Sequence, residues 1–177
     1  NAQPLQNMIF MNEFTWDGAA ESLDAQPIIP ITAEVEMNES FSNIIDKLQT
    51  DKEYPQLFAE AFENGEVNTD NMLKAISQFL VMMVSADSKY DKILKNEGSH
   101  FTAEEEAGKV LFDQKCATCH AGVLFTDQSY RNNGLPIDPE YDDEGRSRVT
   151  GLQADKYKFK VPSLRNIQIT YPYMHDG

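Results

Sequence analysis

Residues 116–120 read Cys116-Ala117-Thr118-Cys119-His120, and they contain both cysteines of the 177-residue chain. Two thiols with this spacing lie on one helical turn, from which they can add to the two vinyl groups of one porphyrin, and the adjacent imidazole can then reach the iron. The stretch therefore predicts covalent attachment of one c-type haem, with His120 as the proximal ligand. Because no cysteine is left over, a disulfide framework is excluded.

Two other kinds of site use a Cys-x-x-Cys pair, a zinc centre and a redox-active dithiol. A zinc centre requires two further Cys or His ligands, and the only other histidines are His100 and His175. A thioredoxin-like dithiol accompanies an α/β pattern, which this sequence lacks. Haem attachment is therefore favoured over both alternatives.

Helical spacing of apolar residues dominates the rest of the chain. It predicts helices over residues 41–48, 57–62, 72–84, 90–94 and 102–114. The stretch 72–84 is the longest and is expected to be the central helix of the first half. Thr102 and Glu105 have capping-box spacing, which places a helix start near Thr102. Period-2 alternation is scarce, so strands should be few and short, and the expected fold class is mostly α with long irregular loops.

The remaining stretches are polar or irregular. Residues 1–36 contain three of the prolines and are predicted to be ordered but irregular. A boundary is plausible near residues 86–100, where the sequence turns polar. One loop is strongly acidic, with Asp138, Glu140, Asp142, Asp143 and Glu144 close together. Such runs of like charge are usually solvated, so a solvated loop is favoured over a metal site.

The overall charge excludes several classes of partner. Acidic residues outnumber basic ones by 29 to 15, giving a net charge of −14. Such a chain repels the phosphates of nucleic acid and the anionic surface of a membrane. No apolar run approaches the ~20 residues that span a bilayer. The chain begins at Asn1 without a signal segment, so it is expected to be a processed or trimmed chain.

Spacing alone also suggests a sixth haem ligand. Met174 is the only methionine after the attachment stretch, and His175 follows it directly. A thioether opposite a histidine raises the reduction potential of an electron-transfer haem, so both residues are candidates for the position opposite His120. The alternative is that they merely lie near the haem edge.

Several segments together resemble the bacterial di-haem cytochrome c peroxidases, a family that includes the enzyme maturing the tryptophylquinone of methylamine dehydrogenase. The resemblance covers essentially the whole chain in one order. Besides the haem stretch, it rests on Trp16-Asp17-Gly18, Gln26, Val35-Glu36-Met37, Ser88-Lys89-Tyr90-Asp91, Glu106-Ala107-Gly108, Leu111-Phe112, Asp143-Glu144-Gly145-Arg146, Val149-Thr150-Gly151, Phe159-Lys160-Val161-Pro162-Ser163-Leu164-Arg165-Asn166 and Thr170-Tyr171-Pro172-Tyr173-Met174-His175-Asp176-Gly177. The last block and Trp16-Asp17-Gly18 are the specific ones.

The resemblance implies two cytochrome-c-like domains with one haem each. Residues 1–90 match the remainder of the N-terminal peroxidatic domain, and residues 91–177 match the C-terminal electron-transfer domain. The attachment stretch here matches the second haem, so the first Cys-x-x-Cys-His is expected upstream of Asn1. The chain thus resembles a fragment with one haem c site of an expected two, and it is expected to be inactive toward peroxide by itself.

The resemblance also implies residue roles. Glu36 matches the family's distal acid and Gln26 the distal amide, both in the peroxide pocket, and Trp16 matches the tryptophan between the two haems. Asn1, Thr170 and Pro172 match the protein ligands of a calcium ion between the domains, the latter two through backbone carbonyls. The family's sixth ligand to the second haem falls beyond Gly177, so Met174 is expected to be a neighbour of the haem, with ligation by Met174 or His175 in a truncated chain as the alternative.

Three functions remain open from the sequence. The first is a periplasmic di-haem peroxidase that reduces hydrogen peroxide with electrons from a small cytochrome or copper protein. The second is a di-haem oxygenase-like enzyme that oxidises a protein or peptide partner, and Gln26 and Glu36 favour the peroxidase over it. The third is a mono-haem electron carrier, which leaves Trp16, Gln26 and Glu36 unexplained. By analogy with the family, a homodimer is expected.

Overall fold

A computed structural model describes residues 1–177 as seven α-helices and one two-stranded sheet. The helices are α1 Ile28–Thr32, α2 Phe41–Thr50, α3 Tyr54–Ala61, α4 Thr69–Met82, α5 Lys89–Leu94, α6 Ala103–Lys115 and α7 Ser147–Thr150, and the strands are β1 Tyr130–Arg131 and β2 Phe159–Lys160. The mostly α fold class is confirmed, and the strands are as few and short as expected. None of the helices combines the length and apolar character needed to cross a membrane.

The predicted helices are confirmed, and side chains cap the starts of all of them except α3. The Thr102 hydroxyl accepts a hydrogen bond from the Glu105 backbone N–H at 3.2 Å, and the Glu105 carboxylate accepts one from the Thr102 N–H at 2.8 Å. This reciprocal pair is the predicted capping box of α6. A second capping box, formed by Ser88 and Asp91, starts α5.

The irregular N-terminal segment contains one helix that the sequence did not indicate, α1. Pro30 lies in its first turn, where a backbone N–H has no partner within the helix, so the proline is tolerated there. The chain then folds back, because the Met37 N–H donates to the Pro30 carbonyl at 3.1 Å. A helix of five residues is too short for its apolar spacing to be recognised.

The first half has two small apolar cores, and α4 contributes to both. One consists of Met8, Phe14, Ala20 and Leu80, and the other of Ile31, Phe58, Val67 and Met72. Met72 and Leu80 both belong to α4 and lie on the same side of it. The longest apolar stretch of the sequence is therefore the central helix of this half, as predicted.

After α6, the second half consists mostly of loops, which contain the short sheet and α7. β1 and β2 are antiparallel, with Tyr130 opposite Lys160 and Arg131 opposite Phe159. The N-terminal segment joins them, because the Lys160 backbone N–H donates to the Trp16 carbonyl at 2.8 Å. The first residues of the chain are thereby brought against its last third.

The boundary predicted between residues 90 and 91 lies inside α5. Asp91 of α5 is buried and pairs with Arg165, far along the second half. The division into two domains stays a prediction.

The acidic loop is largely exposed. Asp138, Glu140 and Asp142 face solvent, whereas Asp143 and Glu144 are half-buried. Glu144 pairs with Lys156 at 2.8 Å, and this contact lowers the pKa of the Glu144 carboxyl. The C-terminal end of the loop is thus tied to the fold by a polar contact, and the residues before it are solvated.

Candidate haem site

The attachment turn begins where α6 ends. Cys116 is the C-cap residue of α6, and its N–H donates to the Phe112 carbonyl at 2.8 Å. The Cys119 and His120 N–H groups both donate to the Cys116 carbonyl, at 3.2 and 3.0 Å. One turn therefore carries both thiols and the imidazole, and both thiols are free. This is the arrangement that double attachment to one porphyrin requires.

His120 is oriented by the loop that follows the turn. Its Nδ1 lies 3.0 Å from the Phe125 carbonyl oxygen. A carbonyl oxygen only accepts, so Nδ1 carries the proton and Nε2 keeps its lone pair for a metal. Haem-ligating and metal-ligating histidines are held in this way through their second nitrogen.

His120 and Cys119 line a cavity of about 480 Å³. Its wall also includes the apolar side chains Val161, Leu164 and Ile167. Cavities of this size and character hold small molecules and cofactors. The residues present fit a covalently attached haem, because the Cys119 thiol and the His120 imidazole line the cavity together with apolar side chains, and Cys116 lies on the same turn.

Both candidates for a sixth ligand lie at the same cavity, and each has another contact. The Met174 sulfur accepts a hydrogen bond from Asn133 Nδ2 at 3.6 Å. The His175 ring stacks on Phe159, with 3.6 Å between ring centroids and 12° between the planes. The structure thus brings both residues to the haem cavity, and their ligation of iron stays a prediction.

Trp16 reaches the cavity from the N-terminal segment. Its indole N–H donates to the Asn1 carbonyl at 2.8 Å, and its own carbonyl accepts the Lys160 N–H. The structure therefore places the predicted electron-transfer tryptophan beside the attachment turn, held at both its backbone and its ring.

A charged network fixes the segment on both sides of Trp16. Arg146 donates to the Glu13 carboxylate at 3.0 Å and to the Asp17 and Gly18 carbonyls at 3.0 and 3.1 Å. The Tyr130 hydroxyl donates to Glu13 at 2.6 Å. The hydrogen bonds from Tyr130 and Arg146 lower the pKa of the Glu13 carboxyl. Glu13 is thus held as an anion against a guanidinium.

Lys160 completes this network from β2. It is only 9% exposed, and its ammonium donates to the Glu13 backbone carbonyl at 2.6 Å. Burial lowers the pKa of the Lys160 ammonium to about 8, although the nearby Glu13 and Asp17 carboxylates oppose that shift. Lys160 lines the haem cavity as well.

The three predicted calcium ligands also lie at the haem cavity. The Asn1 side-chain amide donates to the Pro172 and Met174 carbonyls, at 2.9 Å each. Asn1 and Pro172 are thus adjacent, and Thr170 lines the same wall. Calcium binds oxygen, so the amide of Asn1 would have to turn its oxygen toward the ion. Calcium binding stays a prediction.

Gln26 and Glu36 flank α1. Gln26 lies in the turn before the helix and is half-buried, whereas Glu36 lies in the turn after it and is exposed. The neighbours of Glu36 are exposed too, Val35 at 93% and Met37 at 62%. The two side chains therefore belong to a separate surface from the His120 cavity, whose lining does not include them. Their shared role stays a prediction.

Sequence reasoning missed the residues that hold this site together. Nothing in the sequence indicated Glu13 or Tyr130, and the sequence pointed to Arg146, Lys160 and Arg165 only as parts of the family resemblance. The one available signal was the occurrence of basic residues within segments otherwise matched to the family.

Comparisons with known proteins agree with the geometry. The sequence model of a family described as "Di-haem cytochrome c peroxidase" matches residues 1–99. The chain is 36% identical over 184 residues to "Cytochrome c peroxidase Ccp" of Escherichia coli (strain K12), covering 100% of this chain and 39% of that protein. It is 34% identical to "Cytochrome c551 peroxidase" of Pseudomonas aeruginosa (strain PAO1), covering 100% of this chain and 54% of that protein.

A second group of relatives carries another name. "Methylamine utilization protein MauG" of Methylorubrum extorquens is 36% identical and is matched by 98% of this chain and 50% of its own length. A crystal structure of a "MauG-like protein associated with microbial copper homeostasis" superposes with a TM-score of 0.88 at 31% identity, over 99% of this chain and 58% of that one. The chain thus spans about half the length of the relatives it matches.

Proposed function

Because the chain belongs to the di-haem cytochrome c peroxidase family, we propose that it is part of an oxidoreductase that reduces hydrogen peroxide to water with electrons from a small redox protein. One peroxide takes up two electrons and two protons and leaves as two water molecules. The observation that carries the proposal is the oriented His120 on the attachment turn, at a cavity that Trp16 also lines. The family's cofactor is haem c, and both cysteines here serve one haem, so the activity is proposed for the whole protein.

The site at His120 is proposed to hold the electron-transfer haem. When bound there, the haem supplies one-electron oxidation and reduction. The chain holds His120 with its Nδ1 bonded to the Phe125 carbonyl, and apolar side chains of the cavity would contact the ring. Trp16 offers an indole as a route for electrons between this site and the peroxide site. Its hydrogen bonds to Asn1 and Lys160 keep the indole in one place.

Gln26 and Glu36 are proposed to serve the peroxide site. Glu36 would take the proton from the near oxygen of peroxide and deliver it to the far oxygen, which then leaves as water. The Gln26 amide would hold the peroxide by a hydrogen bond. Support comes from their match to the family's distal amide and distal acid, and both lie in turns that adjoin the short helix α1.

The substitution Glu36→Gln in the whole, natively matured protein tests this function. General acid–base catalysis contributes about 10²–10⁴-fold, so peroxide cleavage should slow by that factor while the haem spectrum is unchanged. Glu34→Gln is the matched control, since Glu34 is also an exposed carboxylate in the same turn. An unchanged rate in Glu36→Gln would remove Glu36 from the mechanism. A pyridine haemochrome spectrum without c-type haem would overturn the function as a whole.

Oxidation of a protein or peptide partner is the second candidate. The similarity to the MauG proteins favours it, at the same 36% identity as the Escherichia coli peroxidase. Product analysis separates the two functions. A peroxidase consumes two equivalents of reduced donor per peroxide, whereas the alternative leaves a covalently oxidised partner. The mono-haem electron carrier predicts neither product.

The cellular setting is proposed from the family and from charge. The proposed location is the periplasm, which covalent haem attachment and the family resemblance support, and calcium binding and a homodimer are further proposals. The charge of −14 favours an electron donor with a basic docking face. Electron transfer from such a donor should slow as salt concentration rises, because exposed charges are screened within about 10 Å at 0.1 M salt.

A further inference from the structure

Three consecutive carbonyls of the loop after the attachment turn each accept a hydrogen bond from a side chain, and two of the three donors lie far away in the sequence. The Val123 carbonyl accepts from Arg165 Nε at 2.7 Å, and the Leu124 carbonyl accepts from the Ser163 hydroxyl at 2.6 Å. The Phe125 carbonyl accepts from His120 Nδ1 at 3.0 Å. Arg165 and Ser163 come from one short segment. They hold the carbonyls of Val123 and Leu124, which directly precede the Phe125 carbonyl that orients the imidazole.

Both donors are themselves held in place. Arg165 is 8% exposed, and its terminal nitrogens bind the carboxylate of Asp91. The Ser163 hydroxyl also accepts the Arg165 backbone N–H, at 3.2 Å. The guanidinium lies 5.7 Å from the centre of the Phe125 ring. Neither donor can turn away without breaking a second contact. Arg165 and Ser163 therefore act as a clamp that holds the loop in one conformation.

Phe125 needs such a clamp because of its backbone conformation. Its φ is +53°, in the left-handed region that a bulky residue rarely adopts. Conformations of this kind persist only where the surroundings impose them. The direction of the Phe125 carbonyl, and hence the hydrogen bond to His120, therefore depends on the contacts that hold Val123 and Leu124.

We propose that Ser163 and Arg165 are positioning residues for His120, which set how strongly its imidazole donates electrons to a haem iron. The proposal rests on the haem function argued above. A hydrogen bond from Nδ1–H to a carbonyl raises the basicity of a ligating histidine. A stronger donor favours the oxidised iron, so the clamp keeps the reduction potential of this haem lower than it would be with a loose loop.

The substitution Ser163→Ala in the whole, natively matured protein tests the proposal. The midpoint potential of the haem attached at Cys116 and Cys119 should become more positive by about 59 mV for one electron. At a fixed solution potential, this shift lowers the ratio of oxidised to reduced haem about tenfold. Hydrogen exchange at His120 Nδ1, followed by NMR, should become faster at the same time. Ser163→Thr retains the hydroxyl and should restore both values.

Ser147→Ala is the matched control. The Ser147 hydroxyl also donates to a backbone carbonyl, that of Glu144 at 3.0 Å, and it lies outside the haem cavity. In Ser147→Ala, the haem midpoint potential and the exchange rate at His120 Nδ1 should equal those of the unaltered protein. If Ser163→Ala leaves both values unchanged, or if Ser163→Thr fails to restore them, the proposal is wrong. Absence of c-type haem from the unaltered protein would instead refute the proposed function.

Discussion

Asp91 and Arg165 meet side by side through two hydrogen bonds, Nη1 to Oδ2 at 2.9 Å and Nη2 to Oδ1 at 2.6 Å. Their side chains are only 7% and 6% exposed. The Arg165 guanidinium holds the pKa of the Asp91 carboxyl well below its usual range, despite the burial that opposes this shift. A buried pair of this kind connects the start of α5 to the haem loop, because Arg165 also binds the Val123 carbonyl.

Breaking this pair should be costly. Asp91→Asn leaves the Arg165 guanidinium buried without an anion, so we expect the free energy of unfolding to fall by about 3–5 kcal/mol. Urea unfolding of the matured protein measures this free energy. Asp113→Asn is the control, since Asp113 pairs with Lys109 on the exposed face of α6, and it should change stability little. Equal losses of stability in the two variants would contradict the conclusion that the buried Asp91–Arg165 pair stabilises the fold.

The same pair predicts an acid limit to stability. Asp91 has a folded pKa below its ordinary 3.8, so its contribution is fully present above pH 3.8 and is lost as pH falls below it. Acid unfolding of Asp91→Asn should therefore show a shallower dependence on pH than that of the unaltered protein. Identical acid profiles would show that Asp91 is not ionised in the pair.

Gly18 should resist substitution more than Gly134, although both have positive φ. A Cβ at Gly18 would collide with the Tyr130 hydroxyl and with Arg146 Nη1, whereas one at Gly134 meets nothing within 4 Å. Their φ values of +75° and +78° are nearly equal, so backbone strain is matched. We expect Gly18→Ala to lose about 1–3 kcal/mol more stability than Gly134→Ala. Equal losses would mean that strain alone matters.

Arg146→Lys should loosen the segment around Trp16. A lysine presents a point charge and cannot reach the Glu13 carboxylate and the Asp17 and Gly18 carbonyls together. Hydrogen exchange at the Lys160 amide, which donates to Trp16, should accelerate. Arg148→Lys is the control, since Arg148 is exposed and makes one ion pair, at 3.5 Å. Unchanged exchange in Arg146→Lys would contradict a positioning role for the guanidinium.

Lys160 should make stability rise in alkali. The pKa of Lys160 is about 8 in the folded chain and 10.5 ordinarily. Between these pH values the unfolded chain binds more protons, so the free energy of unfolding rises with pH. The slope of this rise should approach, and not exceed, about 1.4 kcal/mol per pH unit. Lys160→Met should lose this slope between pH 8 and 10. If the free energy of unfolding still rises between pH 8 and 10 in Lys160→Met, another titrating group causes the rise.

Local patterns predicted much of the fold. The haem turn, the capping box of α6 and the central position of α4 follow from residues within one or two turns of each other. The contacts of Glu13 do not, because its partners Arg146 and Lys160 lie 133 and 147 residues away. No periodicity connects such positions. The roles of Gln26 and Glu36 came only from the family resemblance, since an exposed glutamate carries no signal of its own.

The distance in sequence between Glu13 and its partners bears on the order of folding. Helices α2 to α4 are neighbours along the chain and can form as soon as they are synthesised, whereas contacts between remote residues are slow to form. Trp16 and Met174, from opposite ends of the chain, both line the haem cavity. We therefore expect the walls of the cavity to come together after these helices have formed. The Cys116 thiol is exposed even in the folded chain, so closure of the cavity leaves it accessible.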